Sequence, residues 1–559
     1  MLLAQGLALT LSLWDRQMLG NLPVGLVRDL VSLVLVQILS RTLLNQQHNS
    51  SWGSGSCEIT AYGILTLKSL VSIPFISSMN SEISAAMETG RQYLLMNHNR
   101  WAEPSYIWVG KVSYGSTVLS QTYCFAAMHK SQPITAWSGA LTALVDPPIE
   151  KSVKFIQFFS RLPLYSHLGK GNPTLKLSVL EGYLLLPRLR AVRLDIFPRK
   201  GMAEDRWLEY IPLTWMCCNY LNSPVNTELL IEMMLLSMLN YQLDEYMEAV
   251  VGVHFSDKPE IIRALIYKLC AEPSVSSSLL PLKRRHEYLE FGGPNDTNNS
   301  IGRNYTATKT SSTKVTNNKL ISAADTDLSG VEEVLTKYVA HVRKRPFVLR
   351  ATPRARSRLR RELATFLSAH VTQNSDNALF AEQLGAKGSK SEPNRLQPFA
   401  DASSSFHQWV CTTSADHTSG PFSWVFYECL IGNAGTETWV GAKRSYLAEE
   451  VGRRLSTICR MYNDYGSAKR DRAEMNVNSL DFPEFFDSPG MGTEEEEANR
   501  RKTELMYLAE YERECLNRAL ECLGEMVERE ILDKVWLFVN VTDLFGQIYV
   551  ARDIASRMK

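Results

Sequence analysis

Residues 226–250 read NTELLIEMMLLSMLNYQLDEYMEAV, at least six helical turns without a glycine or proline. Leu, Met and Glu favour helix intrinsically, so this stretch commits the chain to long helices. The same three-and-four spacing of apolar residues recurs in VEEVLTKYVAHV, RSRLRRELATFLSAHVTQ, FHQWVCTTSADH, AEEVGRRLSTICRMYNDYGSAKRDRAE and ELMYLAEYERECLNRALECLGEMVERE. Strand-like alternation is rare throughout. The chain reads as all-α.

Residues 1–150 form a first helical block. LVRDLVSLVLVQILSRTLL, ITAYGILTLKSLVSI, SEISAAMETGRQYLL and VSYGSTVLSQTYCFAAM are its helices, with the loop NSSWGSGS between the first two. Pro147 and Pro148 punctuate its end. Residues 151–559 form the second block. There Leu175 to Leu186 is expected to stop at Pro187, and Gly182 weakens it. Residues 291–330 carry GGPNDTNNSIGRNYTATKTSSTKVTNNK, almost free of aliphatic side chains, and read as a flexible or disordered insertion. The acidic run MGTEEEEANRRKTE places negative charge at the start of a later helix, where the helix dipole favours it.

Composition removes some function classes. Sixty basic and 59 acidic residues leave a net charge of +1, so no global basic field points to nucleic acid. Ten cysteines in 559 residues, with no CxxC, are too sparse for a disulfide framework or a paired-cysteine metal site. A reducing compartment, the cytoplasm, is the simpler setting. Arg28 and Asp29 interrupt the apolar run Val24 to Leu39, and no stable membrane span is expected.

Chemistry concentrates in two segments. In the first, Asp244 and Glu248 are four apart and share a helical face, with Glu245 near the same edge. Like charges at that spacing repel, and a hard divalent cation would offset the repulsion. A solvated helix end carrying ordinary acids is the alternative. In the second, Asn463, Ser467 and Asp471 form a stripe at spacing four and four. An amide, a hydroxyl and a carboxylate together suit one oxygen-liking cation. Arg460 precedes that stripe, while Lys469 and Arg470 lie near its far end. Guanidinium groups bind phosphate oxygens in pairs. A mixed-charge surface helix is the alternative, although Gly466 in mid-helix needs a reason, and close packing against a substrate would supply one. Two such helices facing each other would hold Mg²⁺ over a diphosphate and stabilise its departure. The resulting carbocation would require a dry, aromatic-rich pocket.

These motifs resemble those of terpene synthases. Asp244, Glu245 and Glu248 match a DExxE variant of the aspartate-rich metal motif. Asn463, Ser467 and Asp471 match the second metal motif, with Asp471 where glutamate is usual. Arg460 matches the diphosphate-sensing arginine. The strings SCEITAYGILTLKSL, WVGKVSYGS, FPRKGMAEDRWLEYIPLTW, TTSADHTSGPFSWVFYECL and MYNDYGSAKRDRAEMNVNSLDFPEF extend the resemblance over nearly the whole chain, toward fungal bifunctional diterpene synthases of the copalyl diphosphate/kaurene type.

That resemblance implies a class I helical bundle, the α domain, at 151–559, and a partial β-type helical domain at 1–150. No DxDD acid motif of the class II reaction occurs, so the chain resembles an N-terminally truncated member retaining class I function. The implied activity is that of a lyase in fungal secondary metabolism. It would ionise and cyclise a prenyl diphosphate, copalyl diphosphate first, to a kaurene-, pimarane- or aphidicolane-like diterpene. Direct cyclisation of geranylgeranyl diphosphate, prenyl transfer, and an inactive or partner-dependent paralogue are the alternatives. Asp244 and Arg460 would be catalytic. Arg460, Lys469 and Arg470 would bind diphosphate, and a cluster of about three Mg²⁺ ions would use both motifs. A separate copalyl diphosphate-producing enzyme is an implied partner. His417, within Thr412 to Ser419, would border the cavity. Trp52 is expected to be structural.

Overall fold

The computed structural model describes residues 1–20, 22–109, 112–129, 137–168, 172–197, 205–220, 225–271, 328–387, 398–486 and 493–552. The insertion expected at 291–330 lies, up to residue 327, outside the described residues. Helices dominate. The first block holds α1 (Leu2–Asp15), α2 (Ser32–Leu44), α3 (Cys57–Leu70), α4 (Asn80–Met96), α5 (Thr117–Met128), α6 (Ala140–Leu144) and α7 (Ile149–Phe159). There follow α8 (Pro173–Val192), α9 (Trp207–Asn219), α10 (Thr227–Tyr246), α11 (Gly252–His254) and α12 (Pro259–Cys270). The later part holds α13 (Leu328–Arg343), α14 (Pro346–Arg350), α15 (Pro353–Lys387), α16 (Phe406–Trp409), α17 (Ala415–His417), α18 (Gly420–Ile431), α19 (Ala442–Glu474), α20 (Glu494–Gly524) and α21 (Arg529–Ala551). Among the described residues the sole sheet is a two-stranded antiparallel hairpin, β1 (Ile107–Val109) with β2 (Val112–Tyr114). No described helix is long and apolar enough to cross a membrane.

Side-chain caps set many helix starts. Ser56, Ser116, Asn172 and Asn226 each accept a backbone N–H in the first turn of α3, α5, α8 and α10. The acidic run begins α20 as expected, through a capping box in which Thr493 and Glu496 satisfy each other's backbone.

Four local readings are corrected. Helix α8 does not stop at Pro187 but continues to Val192. An interior proline costs about 3 kcal/mol, but each fully buried leucine returns about 1.5–3 kcal/mol, and Leu184, Leu185, Leu186 and Leu189 are all buried. Gly182 lies where α8 crosses α9, and a Cβ there would stand 3.2 Å from the Leu213 backbone. Residues 112–114 are strand rather than helix, and α5 starts only after the Ser116 cap. The helix after Tyr246 widens into a π-turn, Met247–Val251. Helix α21 was not anticipated, because KVWLFVNVTDLFGQIYV mixes β-branched and aromatic residues that blur its period.

The front helices join the rest through a buried polar knot. Gln37 of α2 donates to Glu181 of α8 at 2.8 Å and to Thr227 at 2.6 Å, and Tyr220 donates to Glu181 at 2.6 Å. Trp52 is buried, its ring nitrogen donating to the Thr42 carbonyl at 2.7 Å, which is a packing role. Around the later helices, α19 lies against α18, α20 and α21, and α15 against α12, α17 and α18. Gly466 owes its place to α21, since a Cβ there would come within 2.0 Å of the Tyr549 carbonyl oxygen. Helix–helix contact, rather than substrate, is thus the reason the structure supplies for this glycine.

Candidate active site

Helix α10 delivers its carboxylates in two directions. Asp244 is half-exposed and faces α15 and α17. Its Oδ1 lies 3.5 Å from His370 Nδ1 and 3.4 Å from His417 Nε2. Glu248, on the π-turn, looks toward the same side, where Asn476 Nδ2 donates to its Oε1 at 3.0 Å. Helix α15 explains this common orientation. His370, Asn374 and Asn377 recur at helical spacing on one face. His370 meets Asp244, Asn374 donates to the Met247 carbonyl at 2.9 Å, and Asn377 donates to Asn476 at 3.1 Å. Glu245 points instead to α9, accepting from Trp207 Nε1 at 3.2 Å.

Helix α19 carries the second set. Ser467 and Asp471 are buried, and Ser467 Oγ donates to Asp471 Oδ2 at 2.6 Å. The same oxygen accepts from Asn478 Nδ2 at 2.8 Å, and Arg470 lies 3.3 Å from Oδ1. Asn463 is partly buried on the same helix. Arg460 is buried, with Nε 2.8 Å from Asp464 Oδ1 and its guanidinium carbon 5.3 Å above the Trp409 ring. Lys469 is exposed, in electrostatic reach of Lys502 on α20. The segment after α19 folds back over these groups, so that Ser479 donates both its N–H, at 2.9 Å, and its hydroxyl, at 2.6 Å, to Asp464. It also supplies Asn476 to Glu248. The two motif-bearing helices are therefore joined through a third element, residues 476–479, and through α15.

Electrostatics mark the region. Burial pushes Asp471 up to about 6, with Asp464 adding to the shift, and pushes Asp481 up to about 7 against the restraint of the Asn478 N–H. Asp376, on α15, is raised to about 6 by burial. Such a concentration of buried acid oxygens is costly unless a positive charge joins it. The donor set of Asn463, Ser467 and Asp471 contains only oxygen and fits a hard divalent cation. Tyr241 stacks on Trp207 with ring centroids 4.9 Å apart, and its hydroxyl pairs with that of Tyr549. Aromatic faces thus lie one helical turn from Asp244.

Burial lowers His370 to about 3, and burial, His370 and Arg460 together lower His417 well below the ordinary value. Both rings are neutral at pH 7. A histidine depressed in the folded state binds its proton first in the unfolded chain. Stability is therefore full above about 6.5 and falls as pH drops toward 3, by about 1.4 kcal/mol per pH unit for His370. His370→Gln should flatten the dependence of urea-unfolding stability on pH between 6 and 4, relative to wild type. Equal slopes would show that His370 is not held neutral.

Sequence reasoning found α10 and α19 but missed His370, Asn374, Asn377, Asn476 and Asn478. For His370, Asn374 and Asn377 the signal was present as polar residues spaced four and then three within RELATFLSAHVTQNSDNALF, a run otherwise read only as helix.

No protein-family model matches the chain. Pimaradiene synthase of Emericella nidulans is 38% identical over 559 residues, covering 98% of this chain and 54% of that protein. The homologues of this chain are fungal diterpene synthases. Ent-kaur-16-ene synthase of Fusarium fujikuroi is 30% identical over 580 residues, covering 100% of this chain and 55% of that protein. Phyllocladan-16-alpha-ol synthase of Phomopsis amygdali is 29% identical, with the same coverage. The chain spans about half the length of the curated relatives it matches.

Proposed function

We propose that this chain is a class I diterpene cyclase that ionises copalyl diphosphate and closes the carbocation to a pimarane-type diterpene, releasing diphosphate. The observation that carries this reading is the 38% identity to a pimaradiene synthase across 98% of the chain. Geometry supports it through two sets of oxygen ligands, on α10 and α19, tied together by Asn476 and α15.

In this reading Asp244, Glu248, Asn463, Ser467 and Asp471 would hold Mg²⁺, while Glu245 is turned to Trp207, away from that set. Bound Mg²⁺ would neutralise the diphosphate and make it a competent leaving group. Arg460 and Arg470 donate to the diphosphate oxygens, with Lys469 adding positive charge at the outer edge. Asp464 keeps Arg460 extended over the Trp409 ring. Trp207, Tyr241 and Phe545, which pack on one another, would exclude water and offer aromatic faces to the cation. Loss of a proton from the cyclised cation ends the reaction. Residues 1–559 contain no DxDD acid, so in this reading they act on copalyl diphosphate already made by a copalyl diphosphate-producing activity. Ten free thiols accord with a reducing, cytoplasmic setting.

Incubation of the purified chain with copalyl diphosphate and Mg²⁺ should release diphosphate and an extractable pimarane-type hydrocarbon, identified by gas chromatography and mass spectrometry. No product from either copalyl or geranylgeranyl diphosphate would refute the reading. Cyclisation of geranylgeranyl diphosphate by way of copalyl diphosphate would show that these residues also form the bicyclic intermediate.

A further inference from the structure

We infer that Asp244, His370 and His417 form a mixed nitrogen–oxygen site for a divalent transition-metal ion. A ring nitrogen of His370, a ring nitrogen of His417 and a carboxylate oxygen of Asp244 lie within 4.8 Å of one another. Their spacing argues for coordination. Separations of 3.4 and 3.5 Å from Asp244 Oδ1 to the two ring nitrogens are long beside the roughly 2.7–2.9 Å of a charge-assisted hydrogen bond. They match the edge of a tetrahedron with bonds of about 2.1 Å, which is close to 3.4 Å. Three separate elements deliver the ligands, namely α10, α15 and α17, so the arrangement is not the local accident of one helix turn.

The surroundings hold the rings in place. His370 is buried, edge-on to Phe366 with centroids 4.9 Å apart, and its ring centroid lies 4.2 Å from that of His417. Buried His370 Nε2 has no hydrogen-bond partner, so no neighbouring acceptor draws the ring away from Asp244. The Arg460 charge reaches His417 but is matched by Asp464 at 2.8 Å, which lowers the repulsion a cation would feel.

The ligand chemistry sets the preference. Mg²⁺ favours oxygen ligands, whereas imidazole suits ions of the Mn²⁺ to Zn²⁺ series, with affinity rising along it as far as copper. Three protein ligands leave a further position for water or a phosphate oxygen. This site differs in donor type from the all-oxygen set on α19 and shares only Asp244 with the reading proposed above. Its existence does not depend on turnover.

The test is direct metal binding to the full, substrate-free chain. Co²⁺ titrated into wild type should produce visible d–d absorption of tetrahedral intensity, and a large excess of Mg²⁺ should not displace it. His417→Gln, His370→Ala and Asp244→Asn should each weaken Co²⁺ binding by at least the roughly 10–100-fold that loss of an outer-shell partner costs. His407→Ala is the control, because His407 and Cys411 form a separate exposed pair 3.9 Å apart, and it should leave the spectrum unchanged. His370→Ala empties a buried position and is the variant at risk of misfolding. His417 is 17% exposed, so His417→Gln decides the matter alone, with Zn²⁺-induced thermal stabilisation as the second readout. Undiminished Co²⁺ binding in His417→Gln, loss of binding in His407→Ala, or displacement by equimolar Mg²⁺ would each overturn the inference. A chain that cyclises copalyl diphosphate yet binds Co²⁺ independently of His417 would sink this site and leave the proposed function standing. The reverse result would do the opposite.

Discussion

An Asp244→Ala variant is expected to turn over copalyl diphosphate roughly 10³-fold more slowly than wild type, the scale seen when one preorganised group stabilising departing charge is removed. Its fold should survive, because Asp244 is half-exposed and lies 3.4 and 3.5 Å from two neutral rings. Removing a carboxylate one turn from Glu248 also relieves a like-charge contact, so the change in stability should stay within about 0.5 kcal/mol. The measurement is kcat from single-turnover product release, alongside a urea melt. Glu245→Ala, at the position facing Trp207, should cost less, since that carboxylate is turned toward α9. Turnover of Asp244→Ala within tenfold of wild type would remove Asp244 from the ionising machinery.

What could be read in advance followed from locality. Helices α10, α13, α15, α19 and α20 were legible because their apolar period is strong. Both oxygen sets were legible because spacing by four puts side chains on one face without any knowledge of the fold. Errors arose where tertiary packing outweighed local preference. Buried leucines carry α8 through Pro187, and the Tyr549 carbonyl, distant in sequence, accounts for Gly466. The missed site residues share one cause. His370, Asn377 and Asn476 matter only because α15 and the segment after α19 come to lie beside α10, which no single-helix pattern reveals. His417 was noticed as a cavity residue, but its pairing with His370 and Asp244 joins three elements and could not be read from any one of them.

The second large effect concerns the buried pair beneath the site. Asp464→Ala is expected to destabilise the chain by about 3–5 kcal/mol, because it leaves the Arg460 guanidinium buried without its partner. Asp464 is fully buried, 2.8 Å from Arg460 Nε, and accepts both the N–H and the hydroxyl of Ser479. Its loss therefore also frees residues 477–481, which deliver Asn478 to Asp471 and hold the Val477 carbonyl near Arg460. If desolvation of the pair is what matters, replacing both members by apolar residues, Arg460→Met with Asp464→Leu, should recover most of the stability while abolishing activity. Urea denaturation of Arg460→Met, Asp464→Leu and the double variant closes the cycle. A cost below about 1 kcal/mol for Asp464→Ala, or a double variant as unstable as the sum of the singles, would mean that Arg460 finds its counter-charge elsewhere. Recovered stability without activity would instead show that this pair is kept for chemistry: a guanidinium held extended, at a cost to the fold, where a diphosphate can take it over from Asp464.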